Sequence, residues 1–366
     1  MPTYASGLSG QVGTVTAPSY GDSATVVTHF YEFLSENFVF NPSWLDGMGL
    51  KSGQAFNRAA RTVQSRFDVN GDLTMEHTIG SAANAVADSM GFWWKHALGS
   101  SVTTPTLVLG TAYKQNHTNG SKAGLYATLQ VGRPQISGPT VQPFTYTGVK
   151  VTQWEFSCSD NKIAELKVTC DGQTELTSVA LAAASDPTPT GLFAFSDASV
   201  MTIGGTASTT SGETSIASGV ALGSRVNGIT IIGNTPMKVD RYGLGNAGLK
   251  GEPIENAIPT ITGTLSTEFF SRTELYDVFK SAATTALQID FTKFDAAGND
   301  ANGVASGPNP YRLSFIMPAV KFKVADAKIG GPDVIPQQVQ FQAYDDGSGS
   351  NPVIQVKLVS KESSAI

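Results

Sequence analysis

One strand-like segment occurs twice in this chain. NGDLTMEHTIG (70–80) and ITGTLSTEFFS (261–271) share Gly71/Gly263, Leu73/Leu265 and Glu76/Glu268 at a constant separation of 192 positions, with Thr74 facing Ser266 in the same frame. The first copy alternates Leu73, Met75, His77 and Ile79 against Thr74, Glu76 and Thr78, the period-two pattern of a half-buried strand. A strand that recurs in matching context implies that its surroundings recur too.

They do. After the second copy, Ser271-Arg272-Thr273-Glu274 has the form of a capping box, and Leu275, Val278, Phe279 and Ala282 follow as one apolar stripe. After the first, SAANAVADSMGFWWKHALG places Val86, Met90, Trp93 and Ala97 at similar spacing, with Gly99 as the expected C-terminal cap. Upstream, GMGLKSG (47–53) precedes the first strand as GNAGLKG (245–251) precedes the second, with Gly49-Leu50-Lys51 matching Gly248-Leu249-Lys250.

That pairing settles a tempting motif. Gly243, Gly245 and Gly248 spell G-x-G-x-x-G, the dinucleotide fingerprint, but the motif needs a buried strand before it and a helix after it. KVDRY precedes it, and Gly251 and Pro253 break any helix within a turn. These glycines belong to a loop that occurs twice, where they supply positive-φ turns.

Each half closes on strand signals, YTGVKVTQWEFSC and ELKVTCDG in the first, YRLSFIMPAVKFKVAD, QQVQFQAYDDG and PVIQVKLVS in the second. Between the halves, TSVALAAASDPTPTG (177–191) is made mostly of small residues, carries a single charge at Asp186 and bears two prolines. The expected fold class is mainly β with minor α: two tandem β-sandwich or half-barrel modules, each with one flanking helix and a long loop. The boundaries read 1–180, a linker at 181–191, and 192–366.

Composition excludes more than it proposes. Only 15% of residues are charged and the formal net charge is −6, which argues against binding nucleic acid through clustered Lys and Arg. The N-terminus has no basic region followed by an apolar core, so no secretion signal is expected, and no apolar run of about eighteen residues is present to span a bilayer. The four histidines lack ligand spacing, and no G-x-S-x-G or Walker A occurs, so neither metal, cofactor nor catalytic residues are expected. Cys158 and Cys170 flank an expected hairpin and read as reduced, buried thiols. Trp93 and Trp94 read as core.

A longer set of segments resembles one family. ASGLSGQVGTVTAPSYG, HFYEFLSENFVF, GMGLKSG, NGDLTMEHTIG, GFWWKHALGS, YTGVKVTQWEFSCSDNKIAELKVTCDG and NTPMKVDRYGLGNAGLKGEPIENAIPTITGTLSTEF, in that order, look like a bacteriophage tail tube protein of long-tailed, non-contractile (siphovirus) phages. SAANAVADSMG and residues 281–310 depart from it. The resemblance implies β-sandwich subunits whose sheets join around a ring, rings that stack into a tube, and DNA that passes through without sequence-specific contact. It also implies a virion location after synthesis in the bacterial host cytoplasm. Implied partners are the chain itself, a tape measure protein, and tail terminator or distal tail proteins. Family rings are sixfold or pseudo-sixfold, so a chain holding two units is expected to form a trimeric ring, with a hexamer as the second possibility. A two-module β-sandwich adhesin or decoration protein shares the composition and stays open, and a hydrolase on a β scaffold lacks a visible nucleophile–base pair.

On this reading Thr74, Glu76, Thr78, Ser266 and Glu268 are candidates to face the lumen, where basic residues would hold DNA back. The loops 41–70 and 234–260 are candidates for ring stacking, through Gly49, Leu50, Lys51, Arg58, Arg61, Arg241, Gly248, Leu249 and Lys250.

Overall fold

The computed structural model describes residues 6–80, 90–104, 112–136, 140–185 and 191–362, and strands dominate it. The first half opens with β1 (Gln11–Thr16), β2 (His29–Tyr31), β3 (Ser35–Glu36), β4 (Val39–Phe40), β5 (Ser43–Asp46), β6 (Thr62–Arg66) and β7 (Val69–Glu76). Helix α1 (Met90–Leu98) follows, then β8 (Gly99–Thr104), β9 (Tyr113–Asn119), β10 (Ala127–Pro134), β11 (Val141–Ser159), β12 (Glu165–Gly172) and β13 (Thr174–Leu176). The second half begins with β14 (Ala198–Ile203), β15 (Thr206–Thr210), β16 (Glu213–Ala217), β17 (Val220–Ala221), β18 (Val226–Asn234), β19 (Met237–Lys238), β20 (Ile254–Glu255) and β21 (Thr260–Glu268). It ends with helix α2 (Asp277–Lys280), β22 (Thr285–Lys293), β23 (Tyr311–Ala327), β24 (Pro336–Ala343) and β25 (Gln355–Ser360).

Two long strands, β11 and β23, organise the chain because each takes part in two sheet regions. The first half of β11 pairs with β10 and β13, and its second half pairs with β12, which continues to β7 and then to β3 and β4. The first half of β23 pairs with β22 and β25, and its second half with β24, followed by β21 and β18.

The registers coincide, not only the order. Lys150 and Val151 oppose Asp171 and Cys170, as Lys321 and Phe322, 171 positions on, oppose Gln342 and Phe341. In both strands the register then slips by one residue, between Val151 and Gln153 and between Phe322 and Val324. A bulge repeated at the same pairing position bends both long strands at one point, which lets each pass from one layer to the other. The β10–β11 and β22–β23 pairs repeat a second irregularity in the same way.

The sheet regions built on the second halves of β11 and β23 are fused side by side. β18 pairs antiparallel with the second half of β11, from Gln153↔Asn234 to Ser159↔Gly228. The result is an unbroken run of eight positions: β3/β4, β7, β12, β11, β18, β21, β24 and β23. The halves also share one core. Trp94 of α1 lies 5.2 Å from Trp154 and 5.6 Å from Phe315, and Phe156 lies 5.5 Å from Phe291 and 4.6 Å from Phe315, by ring centroids. Each aromatic buried this way contributes about 2–3 kcal/mol.

Helix α1 is buried on nearly every side and ends at Gly99, whose φ of +97° suits a left-handed cap. Val86 lies outside the described residues. The expected capping box at Ser271 does not form, because Glu274 accepts from Gly223 and Ser224 instead, satisfying a turn before β18. The segment after it is a π-helical turn, Arg272–Tyr276, running into α2. Cys158 and Cys170 are free and buried, and Val151, not Cys158, stands opposite Cys170. The described part of the low-complexity stretch 177–191 is tethered, with Gln130 bonded to both Ala180 and Ala182.

Candidate functional site

The eight-position sheet has one face on the core and one face off it. On β7, Val69, Leu73 and Met75 are fully buried while Asp72, Thr74 and Glu76 project to the other side. On β21, Ile261, Leu265 and Thr267 are buried while Thr262, Thr264, Ser266 and Glu268 share that second side, and Gln338, Gln340 and Gln342 of β24 extend it. Thr74, Glu76, Ser266 and Glu268 therefore lie on one continuous polar face. Thr78 does not: it lies past the end of β7, bridged to Leu192, and its side chain is 4% exposed.

This face is rich in carboxylates. Glu76 stands directly opposite Glu165, while Glu155 stands opposite Lys167. Like charges directly across a strand pair destabilise an isolated sheet, so the Glu76–Glu165 pairing carries a cost. Asp72 is partly neutralised. Burial raises its pKa, but hydrogen bonds from Thr169 at 2.6 Å and Lys167 at 3.1 Å outweigh that and hold the carboxyl below its ordinary range.

The two glycine-rich loops have opposite fates. The first forms the hairpin β5–β6, whose tip carries Gly49, Leu50, Lys51, Arg58 and Arg61 and stands away from the chain. Leu50 is fully exposed, Met48 and Phe56 are more than four-fifths exposed, and Trp44 and Leu45 are more than half exposed. Apolar side chains gathered on an exposed hairpin mark an interaction surface.

The second loop folds back onto the first half. Lys250, 1% exposed, bridges Asp68 and Asp171, the latter at 2.6 Å. Phe67 donates to the Gly248 carbonyl at 3.0 Å, the Tyr242 hydroxyl donates to the Phe67 carbonyl at 2.8 Å, and Gln173 donates to the Lys250 carbonyl at 2.9 Å. Two further buried lysines complete the junction: Lys150 reaches Glu252 at 2.5 Å, and Lys122 donates to the Val151 carbonyl at 3.0 Å. Burial lowers the Lys122 pKa to about 7 and lifts Asp171 to about 6, more than the neighbouring Lys250 lowers it. Gly245 and Gly248 take φ of +92° and +81°, the positive-φ turns expected of them. Leu249 is half-buried, and of this loop's stacking candidates only Arg241 is exposed. Lys250 is internal, a fate no local signal distinguishes from that of Lys51.

Among the described residues, neither lateral edge of the eight-position run carries a further strand. β3 and β4 pair only with β7, and residues 321–327 of β23 pair only with β24. Such edges are templates for another chain.

A mainly β chain with a fused, acid-rich sheet and two open edges is the architecture of a structural assembly protein. A family model described as phage tail tube protein matches residues 50–343, and the chain belongs to that family. Membership makes it a structural component of a virion tail that self-assembles into a tube. No curated protein matches the chain. No helix among the described residues is long and apolar enough to cross a membrane.

Proposed function

We propose that three copies of this chain close into a ring of six like units, in the manner of non-contractile tails. Residues 1–180 and 192–366 supply the units, and 181–191 joins them. The carbonyl and amide ladders continue around the ring, so the off-core face becomes the wall of a channel through which DNA leaves the virion. An acid-rich wall suits that task, because lysines in its place would neutralise phosphates and retain the duplex. Glu76 and Glu268 stand in that wall with Thr74 and Ser266. The role assigns no catalysis and no cofactor. The chain is made in the host cytoplasm, and the finished tube meets a tape measure protein inside and terminator and distal tail proteins at its ends.

The observation that carries this reading is the β11–β18 seam. Two like-paired sheets already joined edge to edge within one chain are two adjacent positions of a ring. The exposed β5–β6 hairpin is the surface we assign to stacking, whereas the 241–255 loop is committed to the joint within the chain. An adhesin or decoration protein built of two sandwiches would leave both sheet edges outside any closed ring. End-on electron microscopy of the purified, assembled protein tests the proposal. Rings with a central hole and three chains support it, six chains replace the trimer by a hexamer, and isolated bilobed particles favour the adhesin.

A further inference from the structure

The seam inside the chain also specifies the seam between chains. Every strand pair flanking it recurs at a fixed displacement. The β11 positions 153–156 correspond to 324–327 of β23, with the same partners on β12 and β24 and the same bulge before them. On the other side, Ile229 and Ile232 of β18 oppose Leu265 and Thr262, as Glu36 and Val39, 193 positions earlier, oppose Leu73 and Asn70. The segment 35–41 is therefore the counterpart of 228–234, and 324–330 is the counterpart of 153–159.

We propose that, in the assembly described above, residues 324–330 of one copy pair antiparallel with residues 35–41 of a second copy, with Asp326 opposite Val39. This rests on the ring reading and adds its register. The register follows from the internal pairs Glu155↔Ile232 and Phe156↔Ile231, which transfer to Asp326↔Val39 and Ala327↔Phe38.

Side-chain volume supports it independently. In the internal seam Trp154 opposes Gly233, and a Cβ on that glycine would stand 2.2 Å from the indole. In the seam between copies the corresponding pair is Ala325 and Phe40, with the large residue on the other strand. One small and one large side chain share the position in both seams. Two exposed apolar residues fall on these segments: Val39 is 48% exposed and Ile329 is 80% exposed.

In the single chain the open edge is held by its own side chains. The Phe38 amide donates to Glu36 Oε2 at 3.1 Å, and Arg133, paired with Glu36, donates to the Phe38 carbonyl at 2.8 Å. Joining a second copy exchanges these bonds for ladder bonds to Ala327, straightening the break between β3 and β4 into a strand as regular as β18. Blocking an edge with charged groups until the right partner arrives is a common defence against aggregation.

Paired cysteines test the register. Asp326 and Val39 are a non-hydrogen-bonded pair in this scheme, where Cβ atoms approach to about 4.5–5.5 Å, within reach of a disulfide. Within one chain they lie at opposite ends of the eight-position run, roughly 34 Å apart at about 4.8 Å per strand, so any bond joins two copies. The native thiols of Cys158 and Cys170 are buried and do not compete. The double variant Val39→Cys/Asp326→Cys, assembled and then oxidised, is expected to run as covalent dimers and trimers, whereas either single variant stays monomeric. Slipped controls, Asn37→Cys/Asp326→Cys and Asn41→Cys/Asp326→Cys, are expected to cross-link at least fivefold less. If the first double variant fails to assemble, Asn37→Cys/Lys328→Cys probes the neighbouring pair in the same register. Rings visible by microscopy without cross-links in either in-register variant, or with equal cross-linking in a slipped control, overturn the seam and leave the tube reading intact. A wild-type chain that forms no rings overturns both.

Discussion

Lys250 Nζ stands 2.6 Å from Asp171 Oδ1, 79 positions earlier, and that contact fastens a loop of the second half to the first. Both side chains are largely out of water, and Asp68 is the second partner. Removing only the cation strands two carboxylates at a buried joint. Lys250→Met is expected to cost about 3 kcal/mol in denaturant unfolding, while adding Asp171→Asn recovers at least half of the loss. A change under about 0.5 kcal/mol for the single variant would mean the bridge does not hold the joint.

Acid should unfold the isolated chain earlier than its carboxylates alone would. Burial lowers His77 to about 4, and His96 and His117 to about 3. His77 is fixed neutral by geometry: Trp94 donates to its Nε2 at 3.1 Å, and its Nδ1 donates to the Thr78 carbonyl at 3.0 Å. A histidine with a lowered folded pKa stabilises above its unfolded value near 6.5, and that contribution is lost as pH falls toward the folded value. Asp171, raised to about 6, opposes with one proton bound preferentially by the folded chain. Burial lowers His29 as well, so the histidines outnumber the one opposing carboxyl and the unfolded chain binds at least two more protons, about 3 kcal/mol per pH unit between roughly pH 6 and 4. Thermal midpoints measured across that range should fall steeply, and His117→Gln should flatten the slope by about one proton. A midpoint unchanged from pH 6.5 to 4.5 would contradict the burial of these rings.

Much of this architecture was legible in short-range pattern. Alternation in NGDLTMEHTIG and ITGTLSTEFFS exposed the repeat, and the repeat implied matching surroundings before any pairing was known. What stayed hidden depends on contacts far apart in sequence. Gly-Leu-Lys reads identically at 49–51 and 248–250, yet only the second finds Asp68 and Asp171, because only that loop crosses a seam inside the chain. Glu274 has the right spacing to cap Ser271, but the turn at Gly223 and Ser224 presents free amides to it first. The hairpin β8–β9 was also unforeseen. It adds to β25 of the other half, where Lys114 and Lys357 converge on Glu213, and no local signal announces a partner more than two hundred positions away.

The internal seam has a point of least tolerance at Gly233. A methyl group there would meet the Trp154 indole at 2.2 Å, and the ring is 2% exposed. Gly233→Ala is expected to lower stability by about 1–3 kcal/mol and to reduce the yield of assembled tubes. Shrinking the ring in the same chain, Gly233→Ala/Trp154→Phe, should return part of both. Wild-type stability in the single variant would mean that the two strands are not in contact at this register.

The off-core face offers the sharpest separation of folding from function. Glu76 faces Glu165 across β7 and β12, so reversing the charge of Glu76 replaces a repulsive pair by an attractive one and is expected to leave stability equal or slightly higher. Glu268 faces Pro336 and loses no partner on substitution. The double variant Glu76→Lys/Glu268→Lys should therefore fold and assemble. In a ring of three chains it adds six lysines to the wall of each ring, and stacking repeats them along the whole tube. Each lysine that neutralises a phosphate makes retention of DNA more favourable and more sensitive to salt. Phage carrying the double variant are expected to eject DNA more slowly, with the delay shrinking as ionic strength rises. Ejection at the wild-type rate in low salt, from tails of normal length, would place this face on the outside of the tube.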